Sequence, residues 1–145
     1  MNPTDERTPQ ARTVIVHTDG CSLGNPGPAG AAVVILTPEG ERLTSASKSL
    51  GRATNNEAEY AALLLGLEEA RKLGAARVEV RSDSELIVRQ VRGEYRIRKA
   101  HLMPLVQQAR KAMTHFERVT LVSVPRESNE EADALAKAAA SSGRG

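Results

Sequence analysis

Residues 12–50 read RTVIVHTDGCSLGNPGPAGAAVVILTPEGERLTSASKSL. Arg12–Thr18 has the alternation of a strand, with Val14 and Val16 on one face and Ile15 on the other. The run Gly20–Gly30 is dense in Gly, Pro and Asn and reads as a turn or loop. Ala31–Thr37 is an apolar second strand, Pro38-Glu39-Gly40 a hairpin turn, and Glu41–Leu50 a returning third strand. Strands joined by connections this tight lie antiparallel.

Beyond this meander the pattern changes. Thr54-Asn55-Asn56-Glu57 has capping-box spacing and opens a helix to about Leu73, which Gly74 stops. Arg77–Arg81 is a short fourth strand. Ser82-Asp83-Ser84-Glu85 has the spacing of a second capping box, ahead of a helix to about Val91 that Gly93 breaks. His101–Phe116 reads as a third helix and Val119–Val124 as a fifth strand closed by Pro125. Asn129 is placed to cap a last helix to about Ala140, whose acidic first turn, Glu130 and Glu131, suits the helix dipole. Three hairpin-linked strands followed by strands alternating with helices imply an α/β fold: a five-stranded mixed sheet, antiparallel then parallel, flanked by helices. The expected organisation is one domain over residues 12–140, with disordered tails at 1–11 and 141–145.

Composition narrows the class. Of 145 residues 40% are apolar, enough for a core, yet the aromatics are only Tyr60, Tyr95 and Phe116, so aliphatic side chains and Ala must fill it. The single cysteine, Cys21, cannot form an intrachain disulfide, which favours a reducing, cytoplasmic setting. The polar start MNPTDERTPQA does not read as a signal peptide, and no apolar stretch is long enough to span a bilayer. The net charge of +2 says little, but Arg89, Arg92, Arg96, Arg98 and Lys99 crowd one short stretch against a lone acid, Glu94. Such a patch suits a phosphate backbone, and equally a solvated turn.

Four acids fall at element ends: Asp19 after the first strand, Glu59 early in the first helix, Asp83 after the fourth strand, Asp133 early in the last helix. If the first, fourth and fifth strands are neighbours, these acids share one rim of the sheet, where ligands of such folds sit. Clustered carboxylates repel and raise one another's pKa unless cations neutralise them. Oxygen donors with room for water and phosphate describe Mg²⁺, and two such ions suit in-line phosphodiester hydrolysis. Taken singly, each acid also fits a turn or a helix cap, and spacing alone leaves the choice open.

The motifs HTDGCSLGNPGPAGAAVVI, TNNEAEYAALLLGLEEA, VRSDSELIVRQVRGEY and RESNEEADALAKAA together resemble type 1 ribonuclease H, in that family's order, from about Val14 to about Ala140. The resemblance implies a ribonuclease H-like fold and endonucleolytic cutting of the RNA strand of RNA/DNA hybrids, leaving 5′-phosphate and 3′-hydroxyl ends, with two Mg²⁺ ions or Mn²⁺. It implies that Asp19 of TDG, Glu59 of NNEAE, Asp83 of SDS and Asp133 of N-x₃-D are the catalytic and metal-binding residues, while Glu57 is left to capping. It implies substrate contacts from Gly20, Ser22 and Asn25 in the first loop, from Thr54, Asn55 and Asn56, and from Glu85. Reading the 2′-hydroxyl in a shallow minor groove selects RNA without reading sequence. A monomer with no protein partner is expected.

Two departures stand out. Many family members carry a glycine- and histidine-bearing loop before the last helix. Here residues 124–129 read VPRESN, with no histidine, so Arg126 or Glu127 is the possible substitute; slower turnover or a different metal preference would follow. Many members also carry a basic, tryptophan-bearing helical handle, for which the stretch after Val91 is too short; the Arg89–Lys99 patch is the candidate replacement. Other readings are a catalytically weak or silent hybrid-binding module, a nuclease acting also on double-stranded RNA or RNA–DNA junctions, and a phosphate-sensing receiver domain. The hairpin opening and the lack of a suitable lysine after the last strand disfavour the receiver domain.

Overall fold

In the computed structural model, which describes residues 12–142, the alternating run at Val14 extends from Thr13 to Ser22 as strand β1. β2 is Gly27–Leu36 and β3 is Arg42–Ala53; helix α1 is Asn55–Lys72, β4 is Arg77–Ser82, and α2 is Glu85–Val91. A 3₁₀ turn at Ala100–Leu102 leads into α3, Met103–Met113, then β5, Arg118–Ser123, a second 3₁₀ turn at Arg126–Asn129, and α4, Glu130–Ser142. The sheet order is β3-β2-β1-β4-β5, antiparallel between β1, β2 and β3 and parallel between β1, β4 and β5. This is the expected mixed sheet.

The Gly- and Pro-rich run is mostly strand rather than loop. β1 continues through Gly20, Cys21 and Ser22, β2 starts at Gly27, and only residues 23–26 turn. Within this run, positive φ is confined to Gly24 (142°) and Asn25 (38°). Gly20 and Gly30 serve close packing, not turning: a Cβ on Gly20 would collide with the Ala58 carbonyl of α1, and one on Gly30 with the backbone of α4 at Ala136 and Ala140.

β2 is therefore covered on both faces. Gly66 of α1 packs on Val16, Thr18 and Val33, and the buried alanines of α4 (Ala132, Ala136, Ala139 and Ala140) pack on the opposite face. Tyr60 is fully buried, and its hydroxyl donates to Gln90 Oε1 at 2.7 Å, tying α1 to α2.

Other boundaries moved for local reasons. The Thr54 capping box forms: Thr54 Oγ1 accepts from the Glu57 N–H (3.1 Å) and Glu57 Oε1 from the Thr54 N–H (2.8 Å). The second box does not form. Ser84, not Ser82, caps α2, while Glu85 turns outward to Arg89 (2.8 Å). Pro104, tolerated only in a first helical turn, fixes a later α3 start than expected. Asn129 does not cap α4: it is buried, and its Nδ2 donates to the Thr18 carbonyl at 2.8 Å. Ser141 and Ser142 complete α4 rather than beginning a tail. Residues 1–11 and 143–145 lie outside the described chain.

Candidate active site

Asp19 sits on the central strand β1, held between β2, where it faces Ala32, and β4. Because Gly20 has no side chain, the start of α1 seats directly on β1. Glu59 thereby lies over Asp19, its Oε1 accepting the Gly20 N–H at 3.2 Å. Asp83 follows the end of β4, the strand parallel to β1, and so emerges at the same rim. One oxygen from each of Asp19, Glu59 and Asp83 lies within 4.8 Å of the others. Asp133, on the first turn of α4, comes within hydrogen-bond reach of Asp19 and pairs through Oδ2 with Lys137 Nζ at 3.2 Å. All four acids line one cleft of about 410 Å³, with Cys21, Asn55, Asn56, Ser84, Arg126 and Lys137.

The electrostatics are those of crowded acids. Burial, then the neighbouring Asp133 and Asp83 carboxylates, push Asp19 well above the usual range. Burial and the charges of Asp19 and Asp83 push Glu59 up to about 9. Asp83 is raised by burial, with Arg126 opposing. Asp133 alone is lowered: burial pulls it upward, but the hydrogen bond with Asp19 and the Lys137 ammonium outweigh that pull. Asp19 Oδ2 and Asp83 Oδ2 are buried without any hydrogen-bond partner. Buried polar atoms are rarely left so, and carboxylate oxygens without hydrogen bonds inside a cluster of three acids fit a cation site.

Of the residues expected to meet substrate, Ser22, Asn25 and Asn55 interlock beside the cleft. Asn55 Oδ1 accepts the Ser22 N–H (2.8 Å), Asn25 Oδ1 accepts the Asn55 N–H (2.9 Å), and Ser22 Oγ accepts the Asn25 N–H (3.1 Å). Thr54 is occupied in its cap, and Glu85 in its pair with Arg89. Asn56 lines both the acidic cleft and an adjoining groove of about 420 Å³ that also takes in Tyr95, Arg96, Arg98 and Lys99. Of the basic patch, Arg89 and Arg92 are held by Glu94, and Arg89 also stacks on Tyr95 at 5.4 Å.

Arg126 Nε stands 3.9 Å from Asp83 Oδ2, whereas Glu127 is exposed and does not line the cleft. None of the three histidines lines the cleft; His17 Nδ1 bonds Asn129 Oδ1 at 3.1 Å. Burial and the nearby Asp19 charge push the Cys21 thiol above its usual range. Sequence reasoning passed over Lys137, although its position four residues after Asp133 on a helix was the available signal.

An open α/β sheet carrying a carboxylate cluster at the head of its parallel strands defines a ribonuclease H-like protein. The profile of the reverse transcriptase-like family matches residues 17–139, and the chain belongs to that family, in its type 1 ribonuclease H group. Ribonuclease HI of Halobacterium salinarum is 40% identical over 126 residues, covering 87% of this chain and 63% of its own. A bifunctional protein of Mycobacterium tuberculosis is 43% identical over 124 residues, 85% of this chain but 34% of its own, so the chain spans about a third of that relative. The crystal structure of LC11-RNase H1 in complex with an RNA/DNA hybrid superimposes with a TM-score of 0.86 at 38% identity, over 91% of this chain and 99% of that one.

Proposed function

We propose that this protein hydrolyses the RNA strand of RNA/DNA hybrids as a metal-dependent endonuclease, leaving 5′-phosphate and 3′-hydroxyl ends. The observation that carries the reading is the convergence of Asp19, Glu59 and Asp83 with two orphaned buried oxygens. An all-oxygen donor set of this kind fits Mg²⁺, with Mn²⁺ as a substitute, and does not fit softer metals. Asp19, Glu59, Asp83 and Asp133 would hold the ions. Bound there, two divalent ions supply an activated water and stabilise the leaving oxygen.

The chain's own residues do the rest. With the carboxamide oxygens of Asn25 and Asn55 already taken by backbone N–H groups, their NH₂ groups are left to donate to sugar and base acceptors. Gly20 and Asn56 line the cleft beside them, and Ser22, Thr54 and Glu85 would contact the substrate around it. Donors directed at the minor groove read hydroxyls and shape rather than sequence. Arg96, Arg98 and Lys99 in the adjoining groove suit the phosphates of the uncut strand and take over from a helical handle. Arg126, 3.9 Å from Asp83, would supply a cation at the mouth of the cleft. A lone thiol favours a reducing compartment such as the cytoplasm, no helix among the described residues is long and apolar enough to cross a membrane, and we infer a monomer.

The test is cleavage of an end-labelled RNA/DNA hybrid with Mg²⁺, Mn²⁺ or EDTA, beside matched double-stranded RNA and DNA. Metal-dependent cutting of the hybrid's RNA strand supports the proposal, with Asp83→Asn abolishing it while hybrid binding persists. Binding without cutting by the intact chain would replace it with a silent hybrid-binding module. Cutting of double-stranded RNA would widen the substrate class.

A further inference from the structure

The four acids of the cleft lie within reach of two cations that belong to the chain itself. Arg126 reaches Asp83 from the β5–α4 connection at 3.9 Å. Lys137, one turn beyond Asp133 on α4, makes the closer approach: Nζ is 3.2 Å from Asp133 Oδ2, and the side chain lines the same cleft as Asp19, Glu59 and Asp83. Asp133 is mostly buried and Lys137 mostly exposed, at 17% and 57% of their side chains. The ammonium thus sits on an exposed stem with several rotatable bonds, beside a largely buried carboxylate.

We propose that Lys137 is a tethered counter-ion that occupies Asp133 in the metal-free protein and competes with divalent metal for it. The inference rests on the metal-site reading given above. Asp133 Oδ2 cannot present the same lone pairs to an ammonium and to a metal ion at once. The Nζ group also carries a charge that repels a divalent cation entering the cleft. A metal ion taken up through Oδ2 displaces Lys137 to solvent, which its exposed stem allows. An ordinary i,i+4 helix pair would add a little stability and have no bearing on metal. A placeholder adds stability only while the metal is absent and opposes the metal when it arrives.

The two roles differ in sign, and one pair of measurements reads both. Mn²⁺ is titrated calorimetrically into the wild-type chain and into Lys137→Met and Lys137→Arg, with Lys111→Met as an exposed control on α3. Melting temperatures are taken in EDTA and in Mn²⁺. Loss of a unit charge a few ångströms from a divalent ion, screened by salt, is expected to tighten the Mn²⁺ dissociation constant of Lys137→Met about fivefold. Lys137→Arg and Lys111→Met should stay near wild type. Lys137→Met should also melt lower than wild type in EDTA and gain more from Mn²⁺. Unchanged or weaker Mn²⁺ binding by Lys137→Met, with the wild type binding normally, overturns the placeholder and leaves the metal site standing. A wild-type chain that binds no Mn²⁺ overturns the metal reading itself.

Discussion

Glu59 makes the metal-free protein a pH-dependent fold in an unusual direction. Burial and the charges of Asp19 and Asp83 hold its carboxyl protonated up to about 9, against 4.5 for the free side chain. Between those limits the folded chain binds one more proton at Glu59 than the unfolded chain. Stability from this group is thus complete below about pH 4.5 and is lost as pH rises toward 9. One proton is worth about 1.36 kcal/mol per pH unit. With an unfolding entropy of about 2.1 cal/mol/K per residue, a chain of this size should lose about 4 °C of melting temperature per pH unit. Asp19, also raised, adds to the slope.

The assay is thermal unfolding by circular dichroism in EDTA from pH 5.5 to 8.5, for wild type and for Glu59→Gln. The glutamine keeps an oxygen for the Gly20 N–H and removes the titration. Glu59→Gln should show a slope smaller by about one proton, and saturating Mg²⁺ should flatten the wild-type slope. A Glu59→Gln slope equal to that of wild type would refute the reasoning.

Packing and binding give further tests. Gly30→Val should cost about 3 kcal/mol or more, because the new Cβ meets the α4 backbone rather than a side chain that can turn away; chemical denaturation measures it, and a loss under 1 kcal/mol would show that α4 can shift. Tyr60→Phe should cost about 1–2 kcal/mol by stranding the buried Gln90 carbonyl oxygen, read in the same titration. Hybrid binding should weaken steeply with salt, and Arg98→Ala or Lys99→Ala should each lower the log–log slope by about 0.9 if each meets one phosphate, which fluorescence anisotropy can follow.

Much of this was legible in the sequence. The Val14–Val16 alternation, the Thr54 capping box and the turn at Pro38–Gly40 depend on neighbours in the chain, and each appears as expected. What misled were residues whose reason is tertiary. Gly20 and Gly30 read as loop formers, yet they sit inside strands because helices press on them. Asn129 read as a cap, yet its partners, Thr18 and His17, lie more than a hundred residues away. The four acids were each visible, but taken singly each also fitted a cap or turn. Their convergence depends on β1 and β4 being parallel neighbours, and only the assembled sheet displays that.

The double tie of Asn129 to β1 also makes completion of the cleft hang on one long-range contact. Asp19, Glu59 and Asp83 lie in the first two thirds of the chain, and the fourth acid arrives on the last helix. Until the segment after β5 has docked through Asn129, the cleft has one wall missing and the acids already in place have neither Asp133 nor Lys137 beside them. With that tie undone, the other three acids would line a notch open on one side rather than a finished cleft. On the proposed function, cutting power thus hangs on the docking of α4 as much as on the acids on β1, on α1 and just after β4.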